Sequence, residues 1–414
     1  MYIDSMTKHF AIIGAGTAGL ATATLLAKQG FKVTIFEKVA QLAPVGAGLL
    51  LQPAGLAVFE HLGILEQAMQ LGAHVTGLEG QLSGGSLLVN SHYQQAGTGY
   101  AGLGIHRATL CHVLKKATEQ YASLIDWQMN TDITHYTETP QGVTLFGQYN
   151  HQNFEQHVDA IIIANGAKSQ LRPNAWVKID KPYPWGASWT ILPECLAFNP
   201  QILHQFYHGS HTMMGILPTG AIPDVPNQRL CSIFWSMPTH QLAQFKANNA
   251  WFKNIATHWQ DVADWLKTTM PNQQTWLSAQ YRDVVMSQYG TGKIGVIGDA
   301  AHAMSPQLGQ GANMALLDAW AFGQVAHHAR QNDWAKLWQE YHQIRRSSIY
   351  FYQSLSRLLT PMYQSDSKYA DKVRDLVFPW MYRLPYFQKE MAITISGLKT
   401  SPFKQRTYQE IAQS

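Results

Sequence analysis

The string Gly14-Ala15-Gly16-Thr17-Ala18-Gly19 limits what this chain can fold into more than any other feature, because of what surrounds it. An apolar run, residues 10–13, leads into the glycines, and the Ala/Leu-rich stretch 20–28 reads as a helix closing at Gly30. Residues 31–37 then read as a second strand that ends in an acid, Glu37, followed by Lys38. Strand, glycine turn, helix and strand make a βαβ unit, which calls for a parallel sheet covered by helices. In such a turn the first glycine bends the chain, the second lets a pyrophosphate approach the backbone, and the third lets helix pack on strand. Amides at the start of the helix point at the phosphates. Glu37, 23 residues beyond Gly14, stands where an acid would accept hydrogen bonds from a ribose. A glycine-rich surface turn would account for the glycines alone, but not for the strand, helix and acid around them.

At 414 residues the chain is too long for one ordinary core, and roughly two to three domains are expected. Apolar residues make up 46% of it and charged residues 14%, a balance that excludes extended disorder. The formal charge of +4 is spread without basic blocks, so no nucleic-acid partner is expected. Cys111, Cys195 and Cys231 have neither disulfide nor zinc spacing, which points to a reducing, cytoplasmic setting. Residues 1–8 are short and polar, unlike a signal peptide, and no apolar run reaches the roughly 18 residues of a transmembrane span. Monomer and homodimer both stay open.

Further along, residues 158–164 read as a buried strand feeding the Asn165-Gly166 turn, and residues 293–297 as another. A helix is expected to begin near His106, with Leu110, Val113 and Leu114 on one side. Between 183 and 281 the texture changes to aromatic and β-branched stretches divided by turns such as Pro218-Thr219-Gly220, the pattern of a mostly antiparallel sheet. Helical patterns occupy 313–329 and the region from 334 to the end, where Pro361, Pro379 and Pro385 are expected breaks. The fold expected is therefore α/β. A Rossmann-like domain with a parallel sheet takes residues 8–80, 101–180 and 285–345. A substrate domain takes 81–100 and 181–284, and a C-terminal helical segment takes 346–414. The apolar residues of that last segment, among them Leu358, Val377 and Trp380, are interrupted by charges, so packing onto the first domain is expected over resting on a membrane.

A second motif lies some 280 residues after the first: Gly298-Asp299-Ala300-Ala301-His302-Ala303-Met304-Ser305-Pro306-Gln307-Leu308-Gly309-Gln310-Gly311-Ala312-Asn313. Asp299, leaving a strand, can accept hydrogen bonds from sugar-type hydroxyls, and Gly309 and Gly311 let a flat ring lie against the backbone. The helix after Gly311 would turn its positive end toward that ring. Gly-Asp by itself would read as a helix N-cap. His302 reads as structural, since no metal partners are suitably spaced.

With Ile105-His106-Arg107-Ala108-Thr109-Leu110, these two motifs give a chain that resembles the single-component FAD-dependent aromatic hydroxylases, the para-hydroxybenzoate and salicylate hydroxylase type, over roughly residues 8–365. The resemblance implies FAD as cofactor and NADH or NADPH as co-substrate. Oxygen would be activated as a flavin hydroperoxide and transferred to an aromatic or related ring by hydroxylation or epoxidation. It places Gly14, Gly16, Ala18, Gly19, Glu37 and Lys38 at the ADP end, Arg107 near the pyrophosphate and Asp299 on the ribityl chain. Gln52, Gly309, Gly311, Ala312 and Asn313 fall beside the isoalloxazine, with Pro306 between flavin and substrate. Arg107 could also be a plain solvated cation in a helix's first turn. Cofactor and oxygen carry the chemistry in such enzymes, so no catalytic acid or base is assigned.

Candidate substrate residues are Tyr183, Trp185, Met213, Met214, Phe234 and Trp235, from strands low in charge, which suggests a small apolar, aromatic substrate. Each could equally be core. One departure stands out: the resemblance leads one to expect Asp-Gly after the central strand, where this chain has Asn165-Gly166. Asn keeps a hydrogen bond but not the charge, so a dehydrogenase or oxidase without efficient NAD(P)H use is the alternative. A flavin-binding sensor would need an added signalling domain, and a halogenase a Trp-x-Trp-x-Ile-Pro pattern that residues 185–191 only approach.

Overall fold

The computed structural model describes residues 7–42, 47–194, 197–245, 250–270 and 276–414; Cys195 lies outside them. Strand His9–Ile13, helix Thr17–Lys28 and strand Lys32–Glu37 form the βαβ unit the glycine string requires. His9–Ile13 is central in a six-stranded sheet, with Lys32–Glu37 and Ile125–Met129 on one side and Ala160–Ile163, Ile294–Val296 and Gly290–Thr291 on the other. Every neighbouring pair is parallel except the last. A parallel sheet is covered on both faces, so its strands must be apolar throughout, and Phe10, Ala11, Ile12, Ile161, Ile162 and Ile163 are all buried. Helices Thr17–Lys28, Arg107–Glu119 and Gly311–Val325 pack around it.

A second sheet has seven strands in the order Leu277–Met286, Val177–Pro193, Val225–Pro238, Thr212–Ile222, Ile202–His208, Gly77–Leu82 and Leu87–His92. It is antiparallel apart from the contact between Ile202–His208 and Gly77–Leu82. Alternation along its strands creates two faces. Met214, Ile216, Ile233 and Trp235 lie on the outer one, packed with Ile255, Trp259 and Val262 of helices Ala250–His258 and Gln260–Thr269. The sequence reading assigned no helix here, although Trp251, Ile255, Trp259, Val262 and Leu266 recur three or four residues apart. The inner face meets the rest of the molecule: Ser232 Oγ accepts a hydrogen bond from Gly48 N at 2.6 Å, and Leu217 and Leu203 pack with Leu50 and Tyr93.

The C-terminal region differs from its expected pattern. Helix Trp334–Tyr363 buries Leu337, Trp338, Tyr341, Ile349 and Tyr352 against the main core, as packing onto the first domain requires. Pro361 and Pro379 do not break helices; they sit inside the last turns of Trp334–Tyr363 and Ala370–Met381. A proline this close to a helix end removes one ladder hydrogen bond and leaves the turns before it intact. Pro385 alone acts as expected, opening helix Pro385–Ile395. The chain then leaves helix for a short hairpin, Lys399–Ser401 with Lys404–Gln405. Helix Ala370–Met381 also departs from the packing expectation, since Val373, Leu376 and Trp380 are exposed. Among the described residues no helix is long and apolar enough to cross a membrane.

Candidate active site

Close approach dictates the first turn. Gly14 has φ +106°, and a Cβ there would lie 2.7 Å from both Ala164 O and Asn165 Cα, so only glycine lets the turn pass the end of strand Ala160–Ile163. Gly16 is the opposite case: nothing lies within 4 Å of where its Cβ would be, and its backbone faces open space. Helix Thr17–Lys28 starts there without a side-chain cap, leaving its first amides for a ligand. Glu37 is held at the mouth of this turn, its Oε2 accepting from Ala15 N at 2.9 Å and its Oε1 from Val39 N at 3.2 Å. Lys38 is exposed next to it. Ala18 is buried, its methyl against Gly298, so it joins the two motifs by packing.

Gly298-Asp299 follows strand Ile294–Val296 and is fixed from behind by Asp318. Asp318 Oδ2 accepts from Gly298 N at 2.8 Å and lies 2.5 Å from His302 Nε2, while its Oδ1 accepts from Arg345 Nε at 2.7 Å. Asp318 and Arg345 are fully buried. Burial alone would raise the Asp318 pKa, but His302, Arg345 and the hydrogen bonds it accepts hold it well below the ordinary carboxylate range. His302 is structural, as expected.

Asp299 itself points the other way. By accessible surface it is exposed, yet protein surrounds it closely enough to raise its pKa, chiefly by desolvation, against the pull of His302 and Arg107. Both hold for a carboxylate on the floor of a deep cleft. A Cβ on Gly311 would stand 3.8 Å from Asp299 Oδ1, so the acid faces the start of helix Gly311–Val325, which also lacks a side-chain cap. Arg107, the first residue of helix Arg107–Glu119, is exposed on the same cleft.

Gln52 and Asn313 stitch the loop in place. Gln52 N donates to Asn313 Oδ1 at 2.8 Å, and Asn313 Nδ2 donates to Gly309 O at 3.1 Å. The buried Tyr93 hydroxyl donates to Gln52 Oε1, which leaves Gln52 Nε2 near Gly309. Pro306 and Gly309 are exposed and Ala312 half-buried, so this loop presents an open surface. A further cleft of about 790 Å³ runs along helix Arg107–Glu119, lined by Leu42, Cys111, Lys115, Met129 and Ile222.

The sheet's register sorts the six candidate substrate residues. Trp185, Met213 and Phe234 lie on the inner face. Met214 and Trp235 do not join them; they are packed on the outer face under the two helices. Tyr183 is half-buried and lies near Thr360, whose Oγ1 is 2.7 Å from Ser305 Oγ, next to Pro306. Trp189 and Tyr281 were missed. Trp189 is opposite Phe234, ring centroids 5.3 Å apart, and lies near Tyr281. Burial pushes the Tyr281 pKa up to about 12, against the pull of nearby Trp189 and Arg107. Period-two spacing from Trp185 would have found Trp189. No sequence signal links Asp318 to Arg345.

Fold and site together define a dinucleotide-binding oxidoreductase with a large, mostly antiparallel second sheet beside its glycine-rich cleft. The family model described as "FAD binding domain" matches residues 7–349, and the chain belongs to that family, as an FAD-dependent monooxygenase. It is 22% identical over 355 residues to 3-hydroxybenzoate 6-hydroxylase of Polaromonas naphthalenivorans, covering 81% of this chain and 82% of that one. It is 25% identical over 353 residues to 6-hydroxynicotinate 3-monooxygenase of Bordetella bronchiseptica, covering 80% and 86%. The fold is similar to that of p-nitrophenol 4-monooxygenase from Pseudomonas putida, with TM-score 0.77, 14% identity and coverage of 95% and 99%.

Proposed function

We propose that this chain uses O2 and NADH or NADPH to hydroxylate or epoxidise a small, apolar aromatic or related ring. The observation that carries the reading is the convergence of two uncapped helix starts, Glu37, Arg107 and Asp299 on one cleft, next to the aromatic inner face of the second sheet. The donor set fits FAD: acids for hydroxyls, amides and a guanidinium for phosphates, and bare backbone at Gly309 and Gly311 for a flat ring. FAD bound there would supply two-electron transfer and activation of oxygen.

The chain's residues then bind and orient. Glu37 would accept from ribose hydroxyls, and the cleft along Arg107–Glu119 adjoins that end. Arg107 would lie beside the pyrophosphate, and Asp299 would accept from the ribityl hydroxyls. The positive end of helix Gly311–Val325 would favour negative charge on a ring bound there. Trp185, Trp189, Met213, Phe234 and Tyr281 would hold an apolar ring and exclude water. Thr360 and Ser305, hydrogen-bonded to each other at 2.7 Å, would offer hydroxyls next to Pro306, with Tyr183 nearby.

Purified protein should show oxidised-flavin absorbance and consume NAD(P)H faster when a substrate is added; screening phenols, indoles and quinolones identifies the ring. A colourless protein that does not take up FAD refutes the reading. Asn165 favours one other: it stands exposed beside Gly14, so hydride from an external nicotinamide meets no carboxylate there. Flavin that stays oxidised under anaerobic NADH and NADPH, with substrate present, selects that dehydrogenase or oxidase reading.

A further inference from the structure

Helix Ala370–Met381 has an apolar stripe on its outer side. Its inner side is seated, with Phe378 and Arg374 buried, and the Arg374 guanidinium lies over the rings of Tyr207 and Tyr363. Outward it presents Val373 (51% exposed), Leu376 (78%), Val377 (38%) and Trp380 (59%), at the i, i+3, i+4, i+7 spacing that normally faces a core. Tyr369, immediately before the helix, is 74% exposed.

On the helix itself the charges separate by sign. Lys372 flanks the stripe, and Lys368 and Arg383 stand exposed just before and after the helix. The helix's acids turn toward the protein: Asp375 pairs with Arg374 at 2.7 Å, and Asp371 lies near Gly209. Asp366, ahead of the helix, is the exception: it is exposed, 4.0 Å from His211.

We propose that this face docks on an anionic lipid surface, the helix lying in the membrane plane with Leu376 and Trp380 at the headgroup boundary and the three cations over acidic headgroups. A second copy of the chain fits less well. The stripe amounts to a few hundred Å², short of the roughly 800 Å² per partner of a stable dimer. A two-fold contact would also bring like cations together. Behind the stripe, Phe378 belongs to an apolar cluster that includes Tyr207, Met213, Tyr363 and Phe234, and so reaches the inner face of the substrate sheet. A lipid-dissolved ring could follow it inward. That route rests on the proposed function; the docking does not.

Flotation of the full FAD-loaded chain with phosphatidylcholine vesicles, with and without about 30 mol% phosphatidylglycerol, tests it. Binding should require the anionic lipid and fall with salt. Leu376→Glu with Trp380→Glu, and separately Lys368→Glu with Lys372→Glu, should each weaken it roughly tenfold or more while flavin absorbance and melting temperature hold. Equal vesicle binding by wild type and variants overturns the proposal. So does a dimer in light scattering that the apolar pair of substitutions splits while no vesicle binding is seen. Vesicle binding by a protein that then hydroxylates nothing keeps the docking and removes the route.

Discussion

Replacing Asp318 by Asn tests whether the second glycine motif is held from behind by charge. In the native chain one fully buried carboxylate serves Gly298 N, His302 and Arg345, and Arg345 is fully buried with it. Asn keeps an acceptor oxygen but loses the charge and adds an amide where only an acceptor is wanted. Arg345 keeps Ser348 Oγ at 2.8 Å and Met314 O at 3.3 Å, so its hydrogen bonds survive better than its charge balance. Removing one partner of a buried ion pair costs about 3–5 kcal/mol, and the surviving bonds place this variant near the lower figure, about 3 kcal/mol. At roughly 2–4 °C per kcal/mol for large domains, the melting temperature should fall by about 6–12 °C. Thermal melts followed by protein and flavin fluorescence read it, and flavin release should move with unfolding because Gly298 leads directly into Asp299. Arg345→Met in the Asp318→Asn background should recover part of the loss, since it removes the stranded cation. A melting temperature within 2 °C of wild type, or strictly additive losses in the double variant, would refute the electrostatic account.

The same carboxylate sets a pH dependence. Its folded pKa is depressed, so its stabilisation is fully present above the unfolded carboxylate value near 4 and is lost as pH falls below that; acid melts should show Asp318→Asn less pH-sensitive than wild type between about pH 4 and 2. Gly14→Ala should give protein with little bound flavin, because its methyl would meet Ala164 and Asn165 at 2.7 Å; the ratio of visible to ultraviolet absorbance measures this. Glu37→Ala should weaken FAD binding about tenfold or more by titration, through loss of the ribose acceptor and of the Ala15 anchor, a charge-assisted bond of roughly 1.5–3 kcal/mol. Phe234→Ala should raise KM for an aromatic substrate and spill more NAD(P)H oxidation into peroxide, while Trp235→Ala should act on stability alone. Asn165→Asp should speed flavin reduction by NADH or NADPH in stopped flow, and an unchanged rate removes Asn165 from electron supply.

Local signals were legible wherever a short string carries its own geometry. The glycine turn and the Gly298–Asn313 string each combine a strand end with a helix start, with Glu37 closing the strand beside the first, and such units fold by the same backbone rules in any setting. The long antiparallel region was legible as texture, and its faces were not: Met214 looks as good a pocket residue as Met213 until register puts it under Trp259. Helices Ala250–His258 and Gln260–Thr269 were overlooked because aromatic residues suit strand and helix alike, and only three-and-four spacing separates them. Pro361 and Pro379 were read as breaks because the rule against proline weakens at a helix's last turn, and where that turn falls is decided by packing.

The sequence by itself determined the cofactor class and the glycine-rich turns proposed to hold it, since such contacts would use backbone amides and glycines a few residues apart in the chain. Tertiary structure alone decided which partners stand behind and opposite them. Asp318 meets Arg345 across 27 positions, Glu37 meets Ala15 across 22, and Gln52 meets Asn313 across 261. Such pairs depend on how whole sheets and helices stack, and burial makes them strong because water is excluded there. The outward stripe of Ala370–Met381 follows the same logic in reverse: its amphipathic spacing is written in the sequence, but only the packed molecule reveals that the core takes the other side.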